Sequence, residues 1–459
     1  MALADLTRPA GDDDVVGGVP ARLVAAPATT AEASALLRAA AGLTVVVRGA
    51  GTKIDWGTPP RTLDLIIDTH RLAGVREHAA GDLITVVGAG TPVDDLDLPG
   101  QQLALDSPVP GATVGGTVAA NISGPRRMLY GTARDLLIGI EVVRADGTVA
   151  RSGGKVVKNV AGYDLGKLFT GAYGTLGLIT ECAFRLHPLP AAAAFVTAAA
   201  PSPAAAGRLI AAVLSAQVVP SAIEINAPPG ADVEIAVLLE GTPDGVKHRA
   251  EAVAKLFATS LPPPFALSTP MHQSAPAWWN TYPWAAGGVG LKLTAPLSRV
   301  PDLLVAARAA EVPVTVRGSA GTGVLYAAAG DAPMCSEQRG DAPVRSEQGS
   351  DAPMCSEQGS DAPVYSKQEG DAPVYSKQGS DAPVCSEQRD LGAIGRSVAR
   401  LREAAVAAGG HAVVLTAPAG LRETLDLWGP VDGLELMRRV KAQFDPAGMF
   451  APGRFVGGI

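Results

Sequence analysis

The sequence predicts an α+β protein of two domains, and three observations support this prediction. The chain has 459 residues, a length that is comfortable for two domains. Its first part reads as strand, helix and strand and continues in strands, whereas its second part mixes strands with helices. A low-complexity repeat interrupts the second part. We therefore expect a first domain over residues 1–190 and a smaller α+β domain over residues 191–459.

Turn and cap signals define the elements of the first domain. Thr29 and Glu32 form a capping-box pattern before the helix AEASALLRAAAG, and Gly42 suits the end of that helix. Asp146 and Gly147 are the turn pair of a hairpin in IGIEVVRADGTVARSG. Further strands are predicted at ARLVAA, LTVVVRG, LDLIID, DLITVVGAG and LGLITECAFRLHPLP.

The second part alternates between apolar runs and helical patterns, which is typical of a mixed α+β domain. The predicted helices are a stretch ending near AEAVAKLF, then RVPDLLVAARAA and LGAIGRSVARLREAAVAAGG. The predicted strands are AIEINA, VEIAVLLEG, GVGLKLTAP, VPVTVRG, TGVLYAAAG and HAVVLTAP.

Residues 331–390 are six copies of a ten-residue unit such as DAPVYSKQGS. The unit is polar and has Pro at its third position, so it buries too little apolar surface to offset the entropy of ordering. The segment contains three of the four cysteines, and its charge of -7 equals that of the whole chain. We expect a disordered, dispensable insert in a surface loop; a partner-binding tail or a thiol sensor is the alternative.

Composition and motifs exclude several function classes. Outside the repeat the charges sum to zero, which gives no electrostatic case for nucleic-acid binding. The N-terminus lacks the apolar segment of a secretory signal, and no apolar run is long enough to span a membrane. No C-x-x-C, H-x-H or H-E-x-x-H pattern is present, so we expect no metal site. The prediction is a cytoplasmic protein.

Three glycine-rich stretches carry the strongest functional signal. They are RGAGTK (residues 48–53), residues 107–137 and residues 153–181. The first is not a dinucleotide-binding fingerprint, because Ile54 stands where the third glycine belongs and no helix follows. GGTVAAN, residues 115–121, is expected to begin a helix whose free N–H groups attract negative charge.

These stretches resemble, in order and spacing, the FAD-binding domain of the vanillyl-alcohol-oxidase-like, or PCMH-type, flavoproteins. The resemblance covers about the first 190 residues and rests on RGAGTK, PGATVGGTVAAN and LFTGAYGTLGLITE. VKAQFDPAGMFAPGRF, residues 440–455, is similar to the C-terminal signature of that family, with Ala451 where Asn is usual. Within the family, SGPRRMLYGTARDLLIGIEVVRADG is most similar to the FAD-binding subunits of glycolate oxidase.

The resemblance implies a set of FAD-binding residues. The loop 48–53 would hold the pyrophosphate by backbone N–H groups, and residues 111–117 would supply further N–H donors. Residues 121, 123 and 124 would line the flavin side, and the last strand would meet the adenine. The full set is Arg48, Gly49, Ala50, Gly51, Thr52, Lys53, Pro110, Gly111, Ala112, Thr113, Val114, Gly115, Gly116, Thr117, Asn121, Ser123, Gly124, Gly177 and Ile179.

The chain departs from the family at the covalent link to FAD. Many relatives hold FAD through a His beside the loop glycines or through a Cys. Here Thr52 and Lys53 occupy the loop, and Cys182 lies in an apolar strand where a buried structural thiol is expected. We therefore expect non-covalent FAD.

Several side chains leave two interpretations open. Arg126, Arg127 and Arg134 are candidates for binding a substrate carboxylate, or they form a solvated basic turn or contact phosphate. Lys155 and Lys158 either stabilise a reduced flavin or lie at the surface. The tryptophan-rich AWWNTYPW, residues 277–284, is expected in packing or at an interface rather than against the flavin.

The resemblance implies an FAD-binding subunit of a glycolate-oxidase-type complex that oxidises glycolate or a related 2-hydroxy acid. Such a subunit works beside a catalytic flavoprotein subunit and an iron–sulfur subunit, either in the cytoplasm or on the inner face of the membrane through these partners. The alternatives are a self-sufficient FAD-dependent 2-hydroxyacid dehydrogenase and a structural subunit with an unused flavin site. The missing H-x-H motif favours the subunit over the self-sufficient enzyme. No catalytic residue is predicted.

Overall fold

The structure is a computed structural model that describes residues 3–154, 164–260, 271–330 and 391–459. The predictions made for Lys155, Lys158 and the repeat of residues 331–390 lie outside these residues. Helices and strands are interspersed along the described chain, which confirms the mixed α and β fold class.

The N-terminal part consists mainly of short strands. In chain order they are β1 (Arg8–Pro9), β2 (Val15–Val16), β3 (Val19–Pro20), β4 (Leu23–Ala25), β5 (Val45–Arg48), β6 (Leu65–Asp68), β7 (Val75–Ala79), β8 (Ile84–Gly88), β9 (Gln101–Gln102), β10 (Leu137–Val143), β11 (Val149–Gly153), β12 (Leu178–Arg185) and β13 (His187–Pro188). The helices of this part are α1 (Thr30–Ala39), α2 (Val114–Ala120), α3 (Arg127–Tyr130), α4 (Ala133–Leu136) and α5 (Gly166–Phe169).

Two larger sheets contain nine of these strands, and β2 with β3 and β9 with β13 form two separate pairs. The first has the order β1-β4-β6-β5, and its β4–β6 and β6–β5 pairs are parallel. The second is antiparallel, with the order β11-β10-β12-β8-β7, and contains the predicted hairpin around Gly147. Helix α1 begins as predicted, because Thr29 Oγ1 accepts a hydrogen bond of 3.1 Å from the Glu32 N–H. The Glu32 carboxylate accepts from Ala28 N instead of closing the capping box on Thr29.

The C-terminal part forms one large sheet with helices against it. Its strands are β14 (Ala192–Ala200), β15 (Ala222–Ala227), β16 (Val233–Gly241), β17 (Met271–His272), β18 (Val289–Thr294), β19 (Val314–Ser319), β20 (Val324–Ala329) and β21 (Ala412–Thr416). Its helices are α6 (Pro203–Ser215), α7 (Pro243–Thr259), α8 (Val300–Arg308), α9 (Leu391–Ala407), α10 (Ala419–Arg422) and α11 (Leu434–Phe444). The strand order is β17-β14-β16-β15-β19-β20-β18-β21, and the paired strands are antiparallel.

Strand alternation divides the side chains of this sheet between two faces. Ile223 and Ile225 of β15 and Leu325 of β20 lie in the core that helices α6 to α9 share. Glu224 and Tyr326 lie between these positions in the sequence and therefore point to the opposite face. That face carries the polar residues of the candidate site.

The sequence did not predict two features of this part. AAAAFVTAAA contains strand β14, whose nine residues pair along β16. The segment after α11 returns to the N-terminal part, where Val45 N donates to Met449 O at 2.8 Å and Ala451 N donates to Val45 O at 2.7 Å. The domain boundary at residue 190 therefore stays a prediction, since residues beyond it complete the first sheet. No helix in the described ranges is long and apolar enough to cross a membrane.

Candidate functional site

A cleft of about 780 Å³ opens beside the C-terminal end of β5. Of the nineteen residues predicted to bind FAD, eleven line this cleft: Arg48, Gly49, Ala50, Gly51, Thr52, Lys53, Thr113, Gly115, Gly116, Gly177 and Ile179. The other eight do not line it: Pro110, Gly111, Ala112, Val114, Thr117, Asn121, Ser123 and Gly124.

The loop from Gly49 to Lys53 (the pyrophosphate loop) presents a run of free backbone N–H groups. None of these five N–H groups donates a hydrogen bond to another described residue, although Ile54 N, directly after them, donates to Gly51 O at 3.0 Å. Gly51 has a φ of +74°, a conformation that glycine adopts without strain. Consecutive N–H groups around such a turn form a concave site for an anion.

The first turn of α2 does not offer the free N–H groups that the sequence predicted. Val114 N donates to Thr91 O at 2.8 Å and Gly115 N donates to Ala89 O at 2.7 Å. Gly116 N donates to the N-cap Thr113 Oγ1 at 3.3 Å. The prediction that this helix offers free N–H groups to an anion is therefore wrong, because protein oxygens already accept these hydrogen bonds.

The other residues predicted to donate around this helix are also engaged. Gly111 N donates to Asp94 Oδ2 at 2.8 Å, and Ala112 N donates to Val109 O at 3.2 Å. Asn121 ends α2 with a φ of +50°, away from the cleft. Ser123 and Gly124 line a separate cavity that is described below. Contact of these residues with FAD remains a prediction.

Close packing explains several of the small residues. A Cβ on Gly49 would overlap Thr113, and a Cβ on Gly115 would lie 2.8 Å from the Cβ of Ala89. A Cβ on Gly124 would overlap the backbone of Asp106. These glycines are thus required where the chain approaches itself. Gly51 differs, since the nearest atom to its Cβ position is Arg48 Cδ at 3.9 Å.

Charged side chains position the pyrophosphate loop. Arg48 forms ion pairs with Asp14 at 3.0 Å and with Asp68 at 3.1 Å. Its guanidinium is therefore engaged by carboxylates, and the backbone after Arg48 provides the free N–H groups at the cleft. Burial lowers the pKa of Lys53, which lines the cleft, to about 8. Lys53 is therefore mostly protonated at neutral pH and adds a positive charge to the cleft.

Arg454, in the C-terminal segment that returns to the N-terminal part, contacts the residues directly after the pyrophosphate loop. Its Nη2 donates to Ile54 O at 2.6 Å and to Trp56 O at 2.9 Å. The turn before it is held by the buried Asp445, which accepts hydrogen bonds from Met449 N at 2.9 Å and from Phe450 N at 2.7 Å. The quoted C-terminal motif contains Arg454, but sequence analysis did not assign the residue to the cleft. Ala451 has a φ of +47°, a conformation that Asn tolerates better than Ala.

A second, smaller cavity of about 310 Å³ lies between the loop around residue 124 and the polar face of the large sheet. We call it the polar cavity; Arg127, Glu224, Asn280, Tyr282 and Tyr326 are among its lining residues. Trp56 of the cleft and Tyr282 of the polar cavity have ring centroids 5.8 Å apart. The two spaces are therefore separated by one layer of aromatic rings.

The structure separates the three candidate arginines. Arg127 is buried beside the polar cavity, where its Nε donates to Gly124 O at 2.9 Å and its Nη2 donates to the Tyr326 hydroxyl at 3.3 Å. Arg126 forms an ion pair of 2.9 Å with Glu240, and Arg134 is exposed. Of the three, only Arg127 lines either of the two spaces.

The aromatic side chains of the tryptophan-rich segment pack against other aromatic rings. Tyr282 and Trp284 stack with their ring centroids 4.4 Å apart, and both rings contact Tyr326. Trp279 packs on Phe195 at 5.0 Å. Cys182 is fully buried in β12, and burial raises the pKa of its thiol well above the usual range. Neither cysteine nor histidine is found among the described residues that line the cleft.

Two family matches agree with this geometry. Residues 21–153 match the family described as FAD binding domain, and residues 422–455 match the C-terminal domain of FAD linked oxidases. These two stretches of the chain are thus similar to an FAD-binding domain and to the C-terminal domain of FAD linked oxidases. FAD is accordingly the cofactor that the matches indicate. The free N–H groups of the pyrophosphate loop fit the diphosphate of this molecule.

Curated relatives of the FAD-binding domain are oxidoreductases. Glycolate oxidase subunit GlcD of Bacillus subtilis is 41% identical over 25% of this chain and 24% of its own length. Glycolate oxidase subunit GlcE of Escherichia coli is 37% identical over 32% of this chain and 43% of its own length. D-lactate dehydrogenase of Archaeoglobus fulgidus is 34% identical over 36% of this chain and 39% of its own length. The matches thus span less than half the length of these three relatives.

Solved structures match the fold over almost the whole chain. Two structures of alkyldihydroxyacetonephosphate synthase match with TM-scores of 0.59 and 0.61 at 14% identity. Each match covers 95% of this chain and 77% of the synthase chain. The FAD-binding domain and the large sheet therefore share the architecture of a known protein.

Proposed function

We propose that the chain is the FAD-binding subunit of a glycolate-oxidase-type complex that oxidises glycolate or a related 2-hydroxy acid. The observation that carries this proposal is the pyrophosphate loop, whose five free N–H groups border an open cleft. The two glycolate oxidase subunits among the relatives support the substrate class and the subunit role.

The chain's own residues would bind and orient the cofactor. Gly49 to Lys53 hold the diphosphate, Thr113, Gly115 and Gly116 lie along the dinucleotide, and Gly177 and Ile179 lie at the adenine end. When bound, FAD would supply two-electron redox chemistry, either by accepting the hydride from carbon 2 of the hydroxy acid or by relaying electrons between the partner subunits. A catalytic flavoprotein subunit and an iron–sulfur subunit are the proposed partners, since the sequence contains no cysteine motif for passing electrons onward.

A self-sufficient FAD-dependent 2-hydroxyacid dehydrogenase is the second candidate, and the polar cavity favours it. Sequence analysis found no H-x-H motif to act on a substrate. The structure nevertheless places a buried arginine and two tyrosines in one cavity, one aromatic layer away from the cleft. Such groups are able to bind and orient a small acid without a metal ion.

Anaerobic mixing of the FAD-loaded chain with excess glycolate or D-lactate distinguishes the two candidates. We expect the flavin absorbance to persist when the chain is alone and to bleach when the catalytic flavoprotein subunit is added. Rapid bleaching by the chain alone would favour the self-sufficient dehydrogenase. Persistence of the flavin absorbance with all partners present would contradict both candidates.

A further inference from the structure

Arg127 is a buried cation without a carboxylate partner. Its relative exposure is 9%, and no carboxylate of the described residues lies within ion-pair distance of its guanidinium. Its Nε and Nη2 each donate one hydrogen bond, and Nη1 donates none to the described residues. Burying an unpaired charge is costly, so a guanidinium in this state indicates an anionic ligand.

The neighbouring acids neutralise this charge only in part. Burial raises the pKa of Asp106 to about 7, although Arg126 and Arg127 lower it, so Asp106 is only partly ionised at neutral pH. Burial raises the pKa of Glu224 to about 8, even though Arg127 lowers it, so Glu224 is largely uncharged at neutral pH. Its Oε1 is buried and has no hydrogen-bond partner among the described residues. A protonated Glu224 is able to donate a hydrogen bond to a ligand oxygen.

A second cation strengthens the preference for an anion. Lys292 of β18 lies directly opposite Tyr326 of β20 in the strand register. Burial raises the pKa of Tyr326, but Arg127 and Lys292 lower it, and the net shift is downward. Burial and Arg127 lower the pKa of Lys292 itself, so its contribution is smaller than that of Arg127. Both side chains nevertheless act on Tyr326 and add positive potential beside the polar cavity.

The size and position of the polar cavity limit the ligand. The volume of about 310 Å³ is counted out to the open mouth of the polar cavity, and the enclosed part is much smaller. It therefore has room for a carboxylate group at its inner end and not for a nucleotide. Because the Trp56–Tyr282 layer separates the polar cavity from the cleft, a small ligand there would lie near the cofactor.

We propose that the polar cavity binds the carboxylate of a small hydroxy or oxo acid, with Arg127 as the residue that holds it. The carboxylate accepts hydrogen bonds from the free N–H groups of Arg127. Tyr326 and Glu224 bind the remaining ligand oxygens. The identification of the ligand as a 2-hydroxy acid or its 2-oxo product rests on the proposed function, whereas the preference for a small carboxylate rests on the cavity.

Calorimetric titration of the FAD-loaded chain with oxalate tests this proposal without turnover, because oxalate is an unreactive two-carbon acid. We expect saturable binding of one oxalate per chain and none of ethylene glycol, which has no carboxylate. Arg127→Met should weaken oxalate binding at least about 30-fold. Arg134→Met is the matched control, since the same change at an exposed arginine should leave the affinity unchanged.

Two further variants guard against misfolding of Arg127→Met. Arg127→Lys keeps the charge and removes the planar fork, so it should fold and still bind oxalate clearly more weakly. Glu224→Gln keeps a hydrogen-bond donor but replaces the acid, so it should fold and weaken oxalate binding less than Arg127→Met does. FAD content and near-ultraviolet circular dichroism establish that each variant is folded.

The outcomes separate this proposal from the proposed function. Oxalate affinity that is equal in Arg127→Met, Arg127→Lys and the wild type would overturn it, as would the absence of binding to the wild type. Arg127-dependent binding of oxalate, together with a flavin that glycolate never reduces in the presence of partners, would keep the cavity assignment and contradict the proposed function. Flavin reduction with the same rate and substrate dependence in the Arg127 variants and in the wild type would support the proposed function and contradict the cavity assignment.

Discussion

Two glycine-rich segments border the cleft, and they use their backbone N–H groups in opposite ways. The pyrophosphate loop leaves five consecutive N–H groups without an acceptor among the described residues. The first turn of α2 engages its N–H groups with Thr91, Ala89 and Thr113. Both segments look alike as sequence, yet only the loop retains donors for a ligand. Glycine content alone therefore does not identify an anion site; the hydrogen-bond partners of each N–H group do.

The sharpest test of the loop is whether it holds FAD without a covalent bond. We expect purified protein to be yellow and to release all its FAD into the supernatant on acid precipitation. The physical reason is that no His or Cys of the described chain lines the cleft. Flavin that stays with the precipitate would show a covalent link and contradict this prediction.

Substitution of Gly51 should break the loop and not the helix. Gly51→Val forces a branched residue into a φ of +74° and redirects the N–H groups around it. Together, the added backbone strain and the lost hydrogen bonds cost about 3 kcal/mol of binding free energy, which would weaken FAD binding about 100-fold. FAD content and fluorescence titration of the FAD-free protein measure the loss.

Gly409→Val is the matched control for Gly51→Val. Gly409 has a φ of +82° and open space around its Cβ position, but it lies beyond α9 and away from the cleft. We expect this variant to lose stability and to keep its FAD affinity. Equal FAD loss in the two variants would mean that backbone strain, and not the loop's donors, determines retention.

Lys53 should make FAD binding depend on pH. Burial lowers its pKa to about 8 in the cofactor-free protein, so the ammonium that attracts the diphosphate is lost as the pH rises through that value. FAD affinity should be constant below about pH 8 and then fall by at most about tenfold per pH unit. Fluorescence titrations across this range measure the slope.

The control for this pH dependence is Lys53→Arg, which stays charged throughout the range. Its FAD affinity should not show the fall above pH 8. The same slope in the wild type and in Lys53→Arg would assign the pH dependence to another group.

The smallest effect is expected at the cap of α2. Thr113→Val keeps the shape of the side chain and removes the oxygen that accepts from Gly116 N. Loss of an N-cap costs about 1 kcal/mol of stability, which denaturant unfolding measures. FAD affinity should change much less than in Gly51→Val. A larger loss of FAD than in Gly51→Val would show that the helix start, and not the loop, is the principal anion site.

Sequence analysis located the strands and the glycine loop that borders the cleft because their signals are local. RGAGTK follows an apolar strand directly, and the Asp146–Gly147 turn carries its own hairpin signature. Strand β14 was missed because an alanine-rich run has little contrast between its two faces. The engaged N–H groups of α2 were missed because their acceptors, Ala89 and Thr91, lie on another segment.

The polar cavity could not be predicted from the sequence. Arg127 begins the short helix α3, whereas Glu224 and Tyr326 belong to strands about one hundred and two hundred residues later. Period-two alternation indicates that Glu224 and Tyr326 face away from the apolar core, but it does not indicate what they face. Only the packing of the sheet against α3 brings these groups together.

The contact between Arg454 and the segment directly after the pyrophosphate loop also constrains the order of events during synthesis. Arg454 donates to Ile54 O across a separation of 400 residues. A ribosome must therefore translate the whole length between these two positions before this segment acquires its final support. FAD capture is consequently expected to be a late step of biogenesis, taking place after the segment around Arg454 has been made. A nascent chain stalled before residue 445 would remain colourless, so cofactor loading would report that translation had passed this segment.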